Sequence, residues 1–88
     1  MRIKQGFVLR EVAGQAVVIA TGEVSKAFHG MIKLNATGAD IWRGLSEGLT
    51  DAQIADRLVE RYGADGEAAA ADVAAFVRDA REAGFLAS

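Results

Sequence analysis

The stretch GMIKLNATGADIW, from Gly30 to Trp42, decides how the chain is divided between strands and helices. A short apolar run, Met31 to Leu34, stops at Asn35, and a second apolar pattern with a helical period begins almost at once. The residues that share one face of this predicted helix are Gly38, Ile41, Trp42 and Leu45. Patterns before the stretch are typical of strands and patterns after it are typical of helices, which predicts an α+β domain rather than a parallel sheet.

Two further strands are predicted before this point. Phe7 to Val12 and Ala16 to Ala20 are separated by a short turn, Ala13-Gly14-Gln15, and we expect them to form a hairpin. The second run is continuously apolar, so we expect it in the middle of the sheet. Residues 21–30 are predicted to form a polar loop.

The third predicted strand, Met31 to Leu34, is expected at an edge of the sheet. The alternation of a strand points Ile32 and Leu34 to one face, and Met31 and Lys33 to the other. A short strand with an outward Lys is typical of an edge that is protected against uncontrolled pairing.

Three helices are predicted after Asn35, each with a polar N-cap and a glycine near its end. The first runs from Ala36 to Glu47, the second starts at Thr50 with a capping box to Gln53 and ends at Gly63, and the third starts after Asp65 and ends at Gly84. We therefore predict one domain over residues 1–88, in which a three-stranded antiparallel sheet is followed by three helices in a winged helix-turn-helix-like arrangement.

Composition excludes several classes of protein. The 88 residues include no Cys, which excludes disulfides and thiolate chemistry, and the net charge of −2 disfavours binding to nucleic acid. The start, MRIKQGFVLR, lacks the apolar core of a signal peptide. No window is apolar enough for a membrane span, so we expect a cytoplasmic protein with no membrane partner.

The sequence contains no constellation that indicates catalysis or metal binding. His29 is the only His and is interpreted as a loop residue, and the serines lack the context of a nucleophile. The carboxylates are mostly predicted to lie on exposed helix faces, and neither Asp40 with Glu47 nor Asp72 with Asp79 gives a clear acid/base pair. We predict that the protein is not an enzyme and holds no cofactor.

The third predicted helix carries an apolar arc that is wider than the roughly 100° stripe needed for core packing. The arc consists of Ala69, Val73, Phe76, Val77, Ala80 and Ala83, joined by Ala70 and Gly84. Two interpretations stay open: the whole arc is core, or part of it lines a groove beside the third strand, where a peptide adds as a further strand. The acidic residues of this helix outnumber Arg78 and Arg81, which disfavours a DNA-recognition helix. Trp42 and Phe76 are interpreted as core residues rather than as platforms for stacked bases.

Three segments together resemble the PqqD family, a group of small peptide chaperones that are also called RiPP recognition elements. These segments are GMIKLNATGADIW, then EGLTDAQIADRLVERYG, then DVAAFVRDAREAGFL, and the resemblance covers nearly the whole chain. It implies a winged-helix-like fold and a non-catalytic protein that binds the leader of a ribosomally made precursor peptide. It also implies that the complex is presented to a modifying enzyme, such as a radical SAM enzyme or a leader peptidase.

The resemblance also implies where the leader binds. The leader is expected to pair with the third strand, whose residues are Met31, Ile32, Lys33 and Leu34. The wall of the adjoining cleft is expected to come from Asp72, Val73, Phe76, Val77 and Ala80 of the third helix. Lys33 and Asp72 are expected to engage charged leader residues, to pair with each other, or to be solvated.

Other functions stay open beside leader binding. One is a winged-helix DNA-binding regulator, and another is an adaptor that binds a folded protein. An open strand edge also permits a homodimer. The product of the pathway stays open between a quinone, a lasso peptide and another modified peptide.

Overall fold

The computed structural model of the chain describes residues 2–22, 24–27 and 31–87. The elements in chain order are β1 (Phe7–Val12), β2 (Gln15–Ala20), α1 (Val24–Ala27), β3 (Met31–Leu34), α2 (Ala36–Ser46), α3 (Asp51–Tyr62) and α4 (Gly66–Glu82). A three-stranded sheet followed by three substantial helices confirms the predicted α+β class.

The prediction of a loop over residues 21–30 is wrong in one respect, because α1 forms a single helical turn within it. Ser25 donates to the carbonyl of Gly22 from its backbone N–H at 3.1 Å and from its hydroxyl at 2.6 Å. A turn held by a local side-chain hydrogen bond has no apolar period, so periodicity does not reveal it. His29 lies outside the described residues.

The strands form an antiparallel sheet in the order β1-β2-β3, so the continuously apolar β2 is in the middle, as predicted. The register pairs Val18 with Leu9 on one side and with Ile32 on the other. The hairpin turns at Ala13 and Gly14, whose φ angles of 53° and 79° are both positive. Two consecutive positive φ angles are typical of a type I′ turn, whose twist follows that of the flanking strands.

The interior is divided into two apolar clusters. The helical cluster consists of Ile41, Leu45, Ile54, Ala55, Leu58, Ala69, Val73 and Val77. The sheet cluster, which joins the sheet to the helices, consists of Phe7, Val18, Trp42, Ala80 and Phe85. The ring of Phe85 lies edge-to-face against Phe7 at 4.9 Å and against Trp42 at 5.6 Å between centroids. This aromatic contact stabilises the end of α4 against the sheet, and it confirms Trp42 as a core residue.

The helices begin where the sequence predicts. The side chain of Asn35 accepts from the backbone N–H of Gly38 at 2.7 Å, which caps α2 directly after β3. Thr50 and Gln53 form the predicted capping box at the start of α3. The abrupt change from strand to helix is therefore stabilised locally, by the cap at Asn35.

A close approach of α2 and α3 depends on Gly44. A Cβ atom placed on Gly44 would lie 2.7 Å from Cγ1 of Ile54, which is closer than side-chain packing permits. Ile54 is fully buried in the helical cluster and has no free space to move into.

We expect Gly44→Ala to lower the free energy of unfolding by about 1–3 kcal/mol, because the added methyl group overpacks the contact with Ile54. The measurement is urea denaturation followed by circular dichroism. Gly66→Ala is the matched control, since a Cβ atom at Gly66 meets nothing within 4 Å at the start of α4. The control is expected to leave the free energy of unfolding unchanged or to raise it by up to about 1 kcal/mol. Equal stability of the two variants would contradict the close packing at Gly44.

Candidate functional site

The strand β3 has a free edge. It pairs with β2 on one side, and no strand in the described part of the chain pairs with its other side. Backbone N–H and C=O groups along such an edge are able to pair with an extended peptide. The edge is only four residues long, from Met31 to Leu34, so it offers a short and defined pairing site.

An apolar cleft of about 230 Å³ lies between β3 and α4. Its lining residues are Val18, Ile32, Leu34, Trp42, Phe76, Asp79, Ala80, Ala83 and Phe85. The strand contributes Ile32 and Leu34, whose side chains alternate with the outward-facing Met31 and Lys33. Since the cleft adjoins the free edge, a peptide on that edge directs every second side chain into apolar surroundings.

A second depression, of about 310 Å³, continues the cleft toward the start of α2. It shares Phe76 and Asp79 with the cleft and adds Asn35, Thr37, Gly38, Ile41 and Asp72. A Cβ atom on Gly38 would lie 3.1 Å from Oδ1 of Asn35 and 3.4 Å from Cε2 of Phe76, so the ring of Phe76 lies within van der Waals distance of α2. Phe76 thereby lies at the boundary between the cleft and the depression.

The structure brings together most of the predicted site residues. Ile32, Leu34, Phe76 and Ala80 line the cleft, and Asp72 lines the adjoining depression. The side chains of Met31, which is 56% exposed, and of Lys33 lie on the face of β3 that points away from the cleft. These two residues contribute only backbone groups to the free edge. Contact with a peptide stays a prediction for all of these residues.

Val73 and Val77 lie elsewhere. Their exposed fractions are 0% and 5%, and both are buried in the helical cluster rather than in the cleft wall. The wide arc of α4 thus serves both clusters, and Phe76 packs against each of them. Val73 and Val77 pack on α2 and α3, while Phe76 and Ala80 contact the sheet cluster. Helical spacing predicts the width of the arc but not which partner each residue contacts.

Lys33 and Asp72 do not form an ion pair. Lys33 alternates with the cleft-facing residues of β3 and points away from the groove, whereas Asp72 lines the depression. Asp79 is contacted by Arg78, with 3.6 Å between Nε and Oδ1. Both of these side chains are well exposed, so this pair contributes little to stability.

Asp40 is an exception to the expectation that the carboxylates mostly lie on exposed helix faces. Its residue is 4% exposed, and its carboxylate accepts from Arg43 at 3.3 Å, from Arg61 at 2.6 Å and from the hydroxyl of Tyr62. A buried carboxylate is stable only when it is paired and hydrogen-bonded in this way. Arg61 and Tyr62 follow Asp40 by 21 and 22 residues on another helix, so no local spacing in the sequence indicates the cluster.

A polar depression of about 420 Å³ lies over this cluster, between the hairpin and the helices α2 and α3. It is larger than the cleft, but its acceptor Asp40 and its donors Arg61 and Tyr62 already satisfy one another. The side chain of Gln15, also in its lining, donates to the carbonyl of Leu34 at 2.8 Å. We therefore assign this depression a structural role and take the β3–α4 cleft as the candidate site.

The described residues contain neither a metal-binding cluster nor a membrane-spanning helix. Over residues 2–22, 24–27 and 31–87, no group of three or more His, Cys, Asp or Glu side chains is arranged to hold a metal ion. No helix in that part of the chain has the length and apolarity to cross a membrane.

Comparisons with known proteins agree with this geometry. The model of the family described as coenzyme PQQ synthesis protein D (PqqD) matches residues 8–86. A structure of TbiB1 in complex with the TbiA(beta) leader peptide is 23% identical, covers 100% of this chain and 96% of its own, and has a TM-score of 0.81. A structure of lasso peptide synthetase B1 complexed with the leader peptide is 25% identical, with coverages of 96% and 93% and a TM-score of 0.77. No curated protein matches the sequence.

The Asp40 cluster predicts an alkaline pH dependence. The hydrogen bond to the Asp40 carboxylate raises the pKa of Tyr62 above its ordinary value of 10.0, with burial and the negative charge of Asp40 acting in the same direction. A raised folded-state pKa contributes stability that is fully present below the unfolded-state pKa and is lost as the pH rises through the folded-state value.

We expect the phenolate absorbance of the folded protein to titrate with a midpoint above 10.0, and Tyr62 is the only tyrosine, so the signal has one source. Asp40→Asn should lower that midpoint. In addition, the free energy of unfolding should fall less steeply with alkaline pH in Tyr62→Phe than in the unaltered protein. A midpoint at or below the ordinary value would show that the hydrogen bond is absent in solution.

Proposed function

Because the chain belongs to the PqqD family, we propose that it is a non-catalytic module that binds the leader of a ribosomally made precursor peptide. The leader adds as a fourth strand to the free edge of β3 and lies in the cleft beside α4. The complex is then presented to a modifying enzyme, such as a radical SAM enzyme or a leader peptidase, which carries out the chemistry.

One observation carries the proposal: a free strand edge lies directly beside an apolar cleft. The edge supplies backbone hydrogen bonds that tolerate any leader sequence, each contributing a net ~0.5–1.5 kcal/mol. Ile32, Phe76 and Ala80 surround the space into which alternate leader side chains point. An apolar side chain that leaves water for such a cleft contributes about 1.5–3 kcal/mol of favourable binding free energy, so affinity and selectivity come mainly from the cleft.

The structural neighbours support the same function. Each of the two solved structures is a complex with a leader peptide, and both share the fold over nearly the whole chain. The lasso peptide synthetase B1 comparison favours a peptide natural product as the final product of the pathway.

The test is an NMR titration of the labelled protein with leader peptides encoded by short reading frames beside its gene. We expect chemical shift changes at Met31–Leu34 and at the cleft-facing positions Phe76 and Ala80. Backbone amides of β3 should also become protected against hydrogen exchange, because strand addition pairs them. Saturating peptide without changes at either place would overturn the proposal, and changes at the cleft without β3 protection would overturn strand addition alone.

A blocking substitution gives a second test. Ala83 is exposed and lines the cleft, so Ala83→Arg should fill the space of one leader side chain and weaken binding about 10- to 100-fold. Ala74→Arg is the matched control, because Ala74 is exposed on the same helix and is absent from the cleft lining. Affinity is measured by fluorescence anisotropy with a labelled leader. Equal affinities of the two variants would place the leader outside the cleft.

A further inference from the structure

The face of the sheet that points away from the helices carries two basic side chains among mostly apolar ones. The register aligns Arg10, Val17 and Lys33 as a row across the three strands. Arg10 and Lys33 are exposed on either side of the buried Val17. Neither cation forms an ion pair with another residue in the described part of the chain. Lys33 is the member of the row that lies on β3, next to the free edge.

No acidic residue offsets these charges on the same face of the strands. The side chains that alternate onto this outer face are Val8, Arg10, Val12, Val17, Ile19, Met31 and Lys33. The strand residues on this face therefore carry a formal charge of two positive units, although the whole chain has a net charge of −2. A local positive potential at the free edge attracts acidic side chains.

The helix side of the groove has the opposite sign. Asp79 lies at the cleft, and Asp72 lies at the depression that continues it. A strand added to β3 has two faces: one looks toward the cleft and α4, and the other continues the outer face beside Lys33. The two faces of the bound peptide thus meet surroundings of different charge and polarity.

We infer that Lys33 determines specificity, by selecting leaders with an acidic side chain directly opposite it and apolar side chains at the two neighbouring positions. This inference rests on the proposed function. The acidic group pairs with Lys33 across the strands on the outer face. The neighbouring side chains point the other way, into the cleft lined by Ile32 and Leu34.

The same arrangement fixes the register of the leader. A slip of one residue moves every side chain to the other face of the strand. The acidic group would then enter the apolar cleft near Asp79, and the apolar groups would leave the cleft and lie beside the charged Lys33. Both changes are unfavourable, so charge and apolarity together select one register.

The test uses the leader peptide that binds in the NMR titration, with each acidic residue replaced in turn by Gln and by Lys. Fluorescence anisotropy gives its affinity for the unaltered protein, for Lys33→Met and for Lys33→Glu. At one position, the Gln peptide should bind the unaltered protein about two- to fivefold more weakly than the unsubstituted leader does. The two peptides should bind Lys33→Met equally well. The Lys peptide should bind Lys33→Glu better than it binds the unaltered protein.

Arg10→Met is the control for general electrostatic attraction. Arg10 lies on the same face but two strands from the free edge, so about 10 Å separate it from Lys33. In about 0.1 M salt this distance equals the screening length, and the variant should change affinity by less than about twofold. An effect of Arg10→Met as large as that of Lys33→Met would overturn a specific pair at Lys33.

The outcomes separate this inference from the function on which it rests. A leader that binds with protection of β3 amides, but whose affinity depends on charge at none of its positions, overturns the role of Lys33 and leaves leader binding in place. A leader that binds but has no acidic residue in the segment paired with β3 also overturns the role of Lys33 and leaves leader binding in place. If no leader binds the unaltered protein, both the function and the inference fail.

Discussion

The architecture depends on the packing of α4 against both the helical cluster and the sheet cluster. Val73 and Val77 complete the helical cluster, and Phe76 and Ala80 contact the sheet cluster. Phe85, just beyond the helix, is held between Phe7 and Trp42 and fixes the end of α4 against the sheet. The position of α4 relative to β3 is therefore set by contacts that lie outside the cleft.

Part of the cleft stays open because two residues of its wall at the end of α4 are small, although Phe76 and Asp79 of the same helix also line it. Ala80 and Ala83 lie in its wall where larger apolar side chains would fill the space. Trp42 and Val18 are buried and rigidly packed, so they form a floor that does not move to close the cleft. A domain of 88 residues has little core to spare. Leaving this space unfilled costs stability, and in the proposed binding mode the leader completes the packing.

The fold was predictable from the sequence because its decisive signals are local. The strand at Met31–Leu34, the cap at Asn35 and the capping box at Thr50 each depend on residues within one turn of each other. The site was predictable only in part, because its geometry depends on contacts between distant segments. Helical spacing does not assign Val77 to the helical cluster and Ala80 to the sheet cluster, since both lie on one apolar arc.

Lys33 connects the stability of the free edge with its function. An unpaired edge is able to pair with the same edge of a second copy, and a charge near its middle opposes this. Antiparallel pairing of two β3 edges about a twofold axis centred on this residue places Lys33 opposite its own copy, where like charges repel. The same charge favours a strand with an acidic residue at that position. A single side chain on the outer face thus disfavours self-association and favours a leader of opposite charge, while the cleft behind the strand stays free for apolar contacts.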